Sequence, residues 1–160
     1  MRNSITAPRL RRILNLWPPF LFSGIRVLHI ADDWSRAKVK LKLGRFNRNA
    51  VGAHFGGSLF SMTDPFWMLL AMRRLGRDYI VWDKAGEIEF VSPGRSDVFC
   101  DFHLEDHVVE DMIAETADGQ KHLRWFESHV VDGEGKLVAK VRKQLYVRRK
   151  RESSGAGKPA

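Results

Sequence analysis

The residues best suited to chemistry lie close together, between Asn49 and Asp64. The first part of this stretch places one imidazole, His54, among glycines that let the backbone approach another group closely. A glycine loop that leads into a helix offers backbone N–H groups and the positive end of the helix dipole to an anion. The second part is mostly apolar and carries one carboxylate, Asp64, seven residues after Gly57. Together these residue types can stabilise an oxyanion and transfer a proton.

A buried helix is predicted to carry Asp64. Ten of the twelve residues from 59 to 70 are apolar, Pro or Ser, and a helix that is apolar on every side lies in a core. Because Asp is seldom fully buried without a partner, its presence here needs an explanation. Asp64 is either an N-cap with Pro65 at the first helical position, or part of a helix that starts at Gly57 and is kinked by Pro65. The apolar residues from 58 to 62 favour the second interpretation, and Gly76 is the stop signal.

The rest of the chain predicts antiparallel strands around this helix. In the second predicted strand, Val39 and Leu41 alternate with Lys38, Lys40 and Lys42, which indicates one buried face and one basic, solvated face. One central helix among about six strands implies a sheet curled around that helix, so we expect an α+β fold. The predicted strands cover residues 25–30, 37–43, 79–91, 97–106, 121–131 and 137–148, and shorter helices cover 8–17 and 108–117.

Length and composition predict one globular domain with two basic ends. The 160 residues, 44% of them hydrophobic, suit a single core. We expect a basic N-terminal extension at 1–19, the folded domain at 20–149 and a disordered basic tail at 150–160. No apolar run reaches the length of a transmembrane segment. The single cysteine, Cys100, fits a core residue in a reducing compartment, so we expect a cytoplasmic protein.

Much of the net charge of +8 lies toward the termini. Such charge attracts nucleic acid, anionic lipid or a phosphorylated cofactor without choosing among them. In the predicted helix 8–17, Leu10, Ile13, Leu14 and Trp17 share one face, which would pack on the domain edge or lie on a membrane surface. The short length of this helix favours packing. We expect neither specific nucleic-acid binding nor a metal site, because the recognition motifs and the ligand spacing of such sites are missing.

Three short segments resemble the DUF4442 group of the hotdog-fold thioesterase superfamily, in which a curved antiparallel sheet wraps a central helix. They are residues 54–59 (HFGGSL), 63–65 (TDP) and 79–84 (YIVWDK). The phenylacetate branch of this superfamily has a His-Gly-Gly loop, followed seven residues later by an acidic residue on the helix. Gly57 and Asp64 keep that register, and Asn49 and Gly52 match the upstream loop. Here Phe55 separates the histidine from the glycines, so the motif reads His-x-Gly-Gly.

The resemblance implies an acyl-CoA thioesterase that needs no cofactor beyond the coenzyme A of its substrate. The N–H near Gly57 would polarise the thioester carbonyl, and Asp64 would act as general base on water or as the nucleophile. Burial would raise the pKa of Asp64, while a nearby Lys or Arg would lower it. His54 would hold the leaving thiolate or orient the loop. Substrate contacts would come from Asn49, Gly52, Gly56, Phe60, Trp67, Asp83 and Lys84.

The same resemblance implies a homodimer or tetramer, in which Asp64 faces the partner subunit. The basic strand faces, which include Lys40 and Lys143, would meet the phosphates of coenzyme A. Asp83 and Lys84 either line the site or form an internal ion pair that ties strand to helix. A non-catalytic protein that binds acyl groups or acyl-CoA is the alternative, because a fold does not dictate a function.

Overall fold

The computed structural model describes residues 5–150, which form one six-stranded antiparallel sheet with five helices. The helices are α1 (Ala7–Leu16), α2 (Pro18–Ser23), α3 (Gly56–Ser61), α4 (Phe66–Leu75) and α5 (Asp106–Ala114). The strands are β1 (Ile25–Ile30), β2 (Arg36–Leu41), β3 (Tyr79–Phe90), β4 (Val98–His103), β5 (Lys121–Asp132) and β6 (Leu137–Arg149). Their order in the sheet is β1-β2-β4-β5-β6-β3, so β1 and β3 are the edges. The predicted α+β class and the predicted strands are confirmed.

The main helix, α4, lies against one face of the sheet. The ring centroid of Phe102 in β4 lies 4.9 Å from that of Phe66 and 5.5 Å from that of Trp67. Trp67 also stacks on Phe126 of β5, with the ring centroids 4.6 Å apart. The same helix also contacts β6 and β3. Burial of these large rings fixes α4 across four strands, as expected for a sheet that wraps around a helix.

The predicted central helix is broken in two just where Asp64 lies. Between α3 and α4 runs a turn in which the N–H groups of Thr63 and Asp64 bond to carbonyl oxygens three residues earlier. Pro65 accounts for the break, since it has no N–H to donate to a continuing helix. The expected start of a helix near Gly57 is confirmed, but Pro65 was expected to kink one helix, and the structure instead has two helices separated by a turn. The N-cap interpretation of Asp64 is wrong, because α4 has no side-chain capping hydrogen bond.

A bulge at Lys84 changes which residues of β3 face the core. Before the bulge, Asp83 pairs with Leu145 of β6, and after it Gly86 pairs with Lys143. Paired residues in an antiparallel ladder lie on the same face of the sheet. Because Leu145 and Lys143 are both buried, Asp83 and Gly86 both lie on the inward face. A regular strand would have put these two residues on opposite faces.

The N-terminal residues form two helices where the sequence predicted one. Pro18 and Pro19 end α1, as expected, and also open α2, where the missing N–H groups cost no helical hydrogen bond. Asn15 joins α1 to β1: its Nδ2 donates to the carbonyl oxygen of Val27, and its Oδ1 accepts from the N–H of Val27. The expected packing of this helix on the edge of the domain is therefore confirmed.

The two ends of the chain fall partly beyond the described residues. Residues 1–4 of the expected N-terminal extension and residues 151–160 of the expected disordered tail lie outside them. Lys150 is described, and its backbone N–H donates to the carbonyl oxygen of Asp78. Within residues 5–150, no helix has both the length and the apolar character needed to cross a membrane.

Candidate active site

Asp64 lies in the turn between α3 and α4, where its carboxylate forms an ion pair with Lys143 of β6. The Asp64 side chain is 55% exposed, whereas that of Lys143 is 5% exposed. The expected burial of Asp64 is therefore wrong, because the turn removes this residue from the apolar helix. The carboxylate is open to solvent and is held from the inside by a buried ammonium group.

Lys143 occupies a position that the strand pattern gives to the core. Val141 and Leu145, the inward residues on either side of it, are 1% and 0% exposed, and Lys143 itself is 4% exposed. Its expected place on a solvated face toward the phosphates of coenzyme A is therefore wrong. The ammonium nitrogen lies 4.8 Å from the ring centroid of Phe60. Burial of an ammonium group is costly unless it is paired, and here Asp64 and the aromatic ring offset that cost.

Gly86 makes room for this arrangement on the neighbouring strand. A Cβ atom at this position would lie 2.7 Å from Cζ of Phe60 and 3.2 Å from Cδ of Lys143. Any larger residue would therefore displace the ring or the lysine stem. Phe60, which the sequence predicted as a substrate contact, thus lies beside Lys143 at the carboxylate of Asp64.

Asp83 is the second carboxylate near Lys143. Its Oδ1 atom is buried without a hydrogen-bond partner among the residues described. Burial raises the pKa of Asp83; the charge of Lys143 opposes this rise and that of Asp64 adds to it. Lys84 is exposed, and the lysine that acts on Asp83 is Lys143, so the expected Asp83–Lys84 ion pair is wrong. The position of Asp83 agrees with the other interpretation, in which it lines the site.

His54 is buried against the loop that precedes β4, and it is 3% exposed. Its Nε2 lies 2.8 Å from the carbonyl oxygen of Ser96, and because a carbonyl only accepts, Nε2 carries the proton. Its Nδ1 is buried and has no partner within residues 5–150. Burial lowers the pKa of His54, which favours the neutral ring. Of the two roles expected for His54, this geometry supports orientation of the loop.

Asn49 and Gly52 set the shape of the loop before the glycines. Oδ1 of Asn49 accepts hydrogen bonds from the N–H groups of Val51 and Ala53, both at 3.1 Å. Its Nδ2 donates to the carbonyl oxygen of His54 at 3.3 Å. Gly52 has a φ of 76°, which lies in the left-handed region that favours glycine. Both residues therefore act on the backbone of the loop.

Gly56 and Gly57 open α3, and within residues 5–150 no acceptor bonds to their N–H groups. Such free donors are normal in the first turn of a helix. A Cβ atom on Gly56 would lie 2.7 Å from Cζ of Phe90, and one on Gly57 would clash with the ring of Phe55. Both rings are 57% exposed. A larger residue at either position would push one of these rings aside, and the free donors lie beside two accessible aromatic rings.

A cavity of about 410 Å³ opens beside this loop. An apolar cavity with a few polar groups at one end is the usual form of a small-molecule site. Residues that line it include Asn49, His54, Gly56, Leu59, Phe90 and Pro93.

The predicted site residues thus form two clusters at opposite ends of α3. The glycine-loop cluster comprises Asn49, Gly52, His54, Gly56 and Gly57, and the carboxylate cluster comprises Phe60, Asp64, Asp83 and Lys143. The rest of α3 and the start of the following turn lie between Gly57 and Asp64. Seven residues at the rise of an α-helix would span roughly 10 Å, more than one water molecule bridges between a carboxylate and a carbonyl held at Gly57. Within one chain, α3 thus lies between the N–H groups of the glycine loop and the carboxylate of Asp64. Nor do residues 5–150 contain three grouped His, Cys, Asp or Glu side chains that would hold a metal ion.

Two expectations about the surroundings of the site are corrected. Trp67, expected to contact substrate, is 6% exposed, and its indole N–H donates a hydrogen bond of 2.8 Å within the core. On the solvated face of β2, Lys38 lies 3.3 Å from Asp101 and Lys40 lies 2.6 Å from Asp97. Neighbouring carboxylates therefore neutralise much of the basic face that was expected to meet coenzyme A.

From the sequence, Lys143 was expected on a solvated face toward coenzyme A, and Gly86 was not singled out. The signal for Lys143 is present in the sequence, because it interrupts an otherwise apolar set of alternate residues in β6. Gly86 gives no such signal, since only the bulge at Lys84 brings it onto the inward face.

Comparison with known proteins supports a shared fold. The sequence matches the family described as a domain of unknown function, DUF4442, over residues 9–147. A Pseudomonas aeruginosa protein of unknown function, called a probable thioesterase, is 17% identical and has a TM-score of 0.75, with 87% of this chain and 93% of that chain covered. A Haemophilus influenzae thioesterase is 14% identical, with a TM-score of 0.67 and coverage of 96% and 98%.

A protein of unknown function from Chlorobaculum tepidum is 15% identical, with a TM-score of 0.70 and coverage of 92% and 99%. No curated protein matches this chain. Identities this low show a common fold, and activity has to be argued from the site itself.

Proposed function

Because the chain belongs to the DUF4442 family and has the hotdog fold of thioesterase structures, we propose that it is an acyl-CoA thioesterase. The observation that carries this proposal is the ion pair of Asp64 with Lys143. An exposed carboxylate can accept a proton from water, and the buried ammonium group fixes its orientation. An apolar residue at position 143 would pack at lower cost, so we attribute the lysine to the site.

In the proposed reaction, Asp64 acts as a general base. Its carboxylate takes a proton from water while the water oxygen bonds to the thioester carbonyl carbon. The tetrahedral intermediate then collapses and the carbon–sulfur bond breaks. The sulfur leaves with the electron pair as a thiolate, which takes up a proton to give free coenzyme A, and the other product is the carboxylic acid. General base catalysis of this kind contributes roughly 10²- to 10⁴-fold in rate.

The free N–H groups of Gly56 and Gly57 would stabilise the charge on the carbonyl oxygen. Because Asp64 lies at the other end of α3, we propose that the two groups at one thioester come from different subunits of a homodimer. The edge strand β3 suits such an interface, since it is twelve residues long and among the described strands pairs only with β6. It also exposes Trp82 and Phe90. An unpaired edge of this length is a template for pairing with a second copy.

The cavity beside the glycine loop would take the acyl group. Leu59 and Phe90 supply apolar surface, and the volume of about 410 Å³ suits a short or aromatic acyl chain. His54 would keep the loop in shape without contacting the reacting atoms. The charge of Asp83 would act on Lys143 together with that of Asp64 and so help to position the ammonium group.

Release of free thiol from a panel of acyl-CoAs with short, long and aromatic chains tests this function. We expect turnover of at least one class by the full-length protein, and we expect a dimer in solution by light scattering. A folded dimer that releases no thiol from any member of the panel would contradict the proposal.

A non-catalytic protein that binds acyl-CoA is the second candidate. The observation that favours it is the separation of Gly57 from Asp64 within one chain, together with the burial of His54. This candidate predicts saturable, stoichiometric binding of acyl-CoA by calorimetry, with the thioester recovered intact. A monomer in solution would also favour it, because the proposed reaction needs two subunits.

A further inference from the structure

The outer sides of α1 and α2 expose large apolar side chains. Leu16 is 72% exposed and Phe22 is 77% exposed. Ile13, Trp17 and Leu21 are 47%, 45% and 37% exposed. The inner sides of the two helices already pack on the domain, so packing among residues 5–150 does not account for the outer residues.

The loop after β2 extends this apolar surface. Nδ2 of Asn47 donates to the carbonyl oxygen of Ser23 at 2.9 Å, which ties the loop to the end of α2. Phe46 directly precedes Asn47, and Phe22 directly precedes Ser23. These are the two most exposed phenylalanines among the described residues, at 97% and 77%. We define the N-terminal apolar surface as Ile13, Leu16, Trp17, Leu21, Phe22 and Phe46.

The part of the chain that carries this surface is strongly basic. Residues 1–63 contain eleven Lys and Arg against two Asp, whereas residues 64–160 contain sixteen Lys and Arg against seventeen Asp and Glu. Four exposed arginines lie in the elements of the N-terminal apolar surface or next to them in sequence, and within residues 5–150 no carboxylate pairs with any of them. They are Arg9, Arg12, Arg26 and Arg45.

We propose that the N-terminal apolar surface binds a bilayer that contains anionic lipids. Bulky apolar side chains would insert among the headgroups, and the neighbouring arginines would meet the lipid phosphates. A nucleic acid would use the arginines but would leave the apolar side chains in water. A second copy of the same surface would bring like charges together. Charge and apolar character together therefore favour anionic lipid, and this binding does not depend on the proposed thioesterase activity.

Flotation of the full-length protein with lipid vesicles tests this inference. We expect it to float with vesicles of equal parts phosphatidylglycerol and phosphatidylcholine, and to float less with phosphatidylcholine alone. The double variant Phe22→Ser/Phe46→Ser should weaken binding about tenfold or more. Arg9→Gln and Arg12→Gln should each weaken it about fivefold on the anionic vesicles.

Matched variants control for general surface changes. Ile113→Ser removes a side chain on α5 that is 43% exposed, and Lys121→Gln removes an exposed charge at the start of β5. Both should bind as the wild type does, and circular dichroism should be the same for all variants. Tryptophan emission should shift to the blue when the protein binds vesicles. Loss of this shift in Trp17→Phe would assign it to Trp17, one of the five tryptophans.

Three results would overturn the inference. In the first, Phe22→Ser/Phe46→Ser floats like the wild type. In the second, binding depends on charge alone, so that it vanishes at moderate salt and duplex DNA competes fully. In the third, the protein ignores vesicles but self-associates, and Phe22→Ser abolishes that self-association; the surface would then be an interface between copies of the chain.

Discussion

Asp64 and Lys143 form an ion pair whose two members differ in solvation: the side chain of Asp64 is 55% exposed and that of Lys143 is 5% exposed. Water can therefore replace the lysine as a partner of Asp64, but it cannot replace Asp64 as a partner of Lys143. Because of this difference, removal of Asp64 and removal of Lys143 should change the stability of the protein by different amounts. The carboxylate also stays accessible for reaction.

Removal of the two partners should have unequal effects on stability. Asp64→Asn leaves the buried ammonium group with only Asp83 as a charged neighbour, and we expect a loss of about 1–3 kcal/mol in the free energy of unfolding. Lys143→Met keeps the packing and removes the buried charge, so it should cost less than about 1 kcal/mol. Urea denaturation at neutral pH measures both values. A larger loss for Lys143→Met than for Asp64→Asn would contradict this account.

The double variant Asp64→Asn/Lys143→Met provides the matched control for this pair. With no buried ammonium left to satisfy, we expect it to recover most of the stability lost in Asp64→Asn. Strict additivity of the two single changes would mean that the ion pair contributes little to stability.

Asp83 should make the protein less stable as it ionises. Burial raises the pKa of Asp83 above the ordinary value of 3.8, so the folded state holds the proton more tightly than the unfolded state. Stability is therefore lost as the pH rises from 3.8 through the pKa of the folded protein. Asp83→Asn, which cannot ionise, should match the wild type at low pH and exceed its stability at neutral pH. Urea titrations across this range measure the difference.

The exposed carboxylate Asp101, which pairs with Lys38 on the sheet surface, supplies the control for this comparison. Asp101→Asn should show no gain in stability at neutral pH. An Asp83→Asn variant that is less stable than the wild type at neutral pH would show that the ionised Asp83 is stabilising.

Burial of neutral His54 predicts the opposite dependence on pH. Its pKa is lowered from 6.5, so below pH 6.5 the unfolded state binds a proton that the folded state does not. Stability from this residue is present above pH 6.5 and is lost as the pH falls toward the pKa of the folded protein. In His54→Gln this part of the slope should disappear, whereas His107→Gln, on an exposed histidine, should retain it. Thermal unfolding at a series of pH values measures how the stability of each protein depends on pH. The same dependence in the wild type, His54→Gln and His107→Gln would contradict the prediction.

Most of the fold was predictable because its signals are local and periodic. Strand alternation and Gly76 as a helix stop follow from short stretches of sequence and are confirmed. The predicted kink at Pro65 is a full break between two helices. The resemblance to DUF4442 around His54 and Asp64 is also confirmed by the family match. These features depend on neighbouring residues, which the sequence shows directly.

The site was less predictable because it depends on contacts between distant segments. Lys143 and Asp64 are 79 residues apart in sequence, and no local pattern joins them. The bulge at Lys84 brings Asp83 and Gly86 onto one face, although their spacing predicts opposite faces. The burial of Asp64 was predicted wrongly, since apolar composition does not show how a turn after α3 directs one side chain.

The two chemical roles open to Asp64 leave different isotopic traces. If Asp64 acts as a base on water, a single turnover in ¹⁸O-water should put ¹⁸O into the released acid and none into the Asp64 carboxylate. If Asp64 were the nucleophile, it would form a mixed anhydride with the acyl group, and water attack at the Asp64 carbonyl carbon would give unlabelled acid in the first turnover and transfer ¹⁸O to Asp64. Mass spectrometry of the acid and of the peptide that contains Asp64 measures both labels, and ¹⁸O in Asp64 would contradict its role as a base. We expect label in the acid.

The most direct test of the central claim is kcat/KM of the wild type and three variants toward the best acyl-CoA substrate of the panel. The single variant Asp64→Asn and the double variant Asp64→Asn/Lys143→Met, both checked to be folded, should each lose at least about 100-fold in kcat/KM. Glu87→Gln removes a carboxylate that pairs with Arg142 at 3.0 Å on the outer face of the sheet, and it should stay within about twofold of the wild type. Full activity in Asp64→Asn would contradict the assignment of Asp64 as the base.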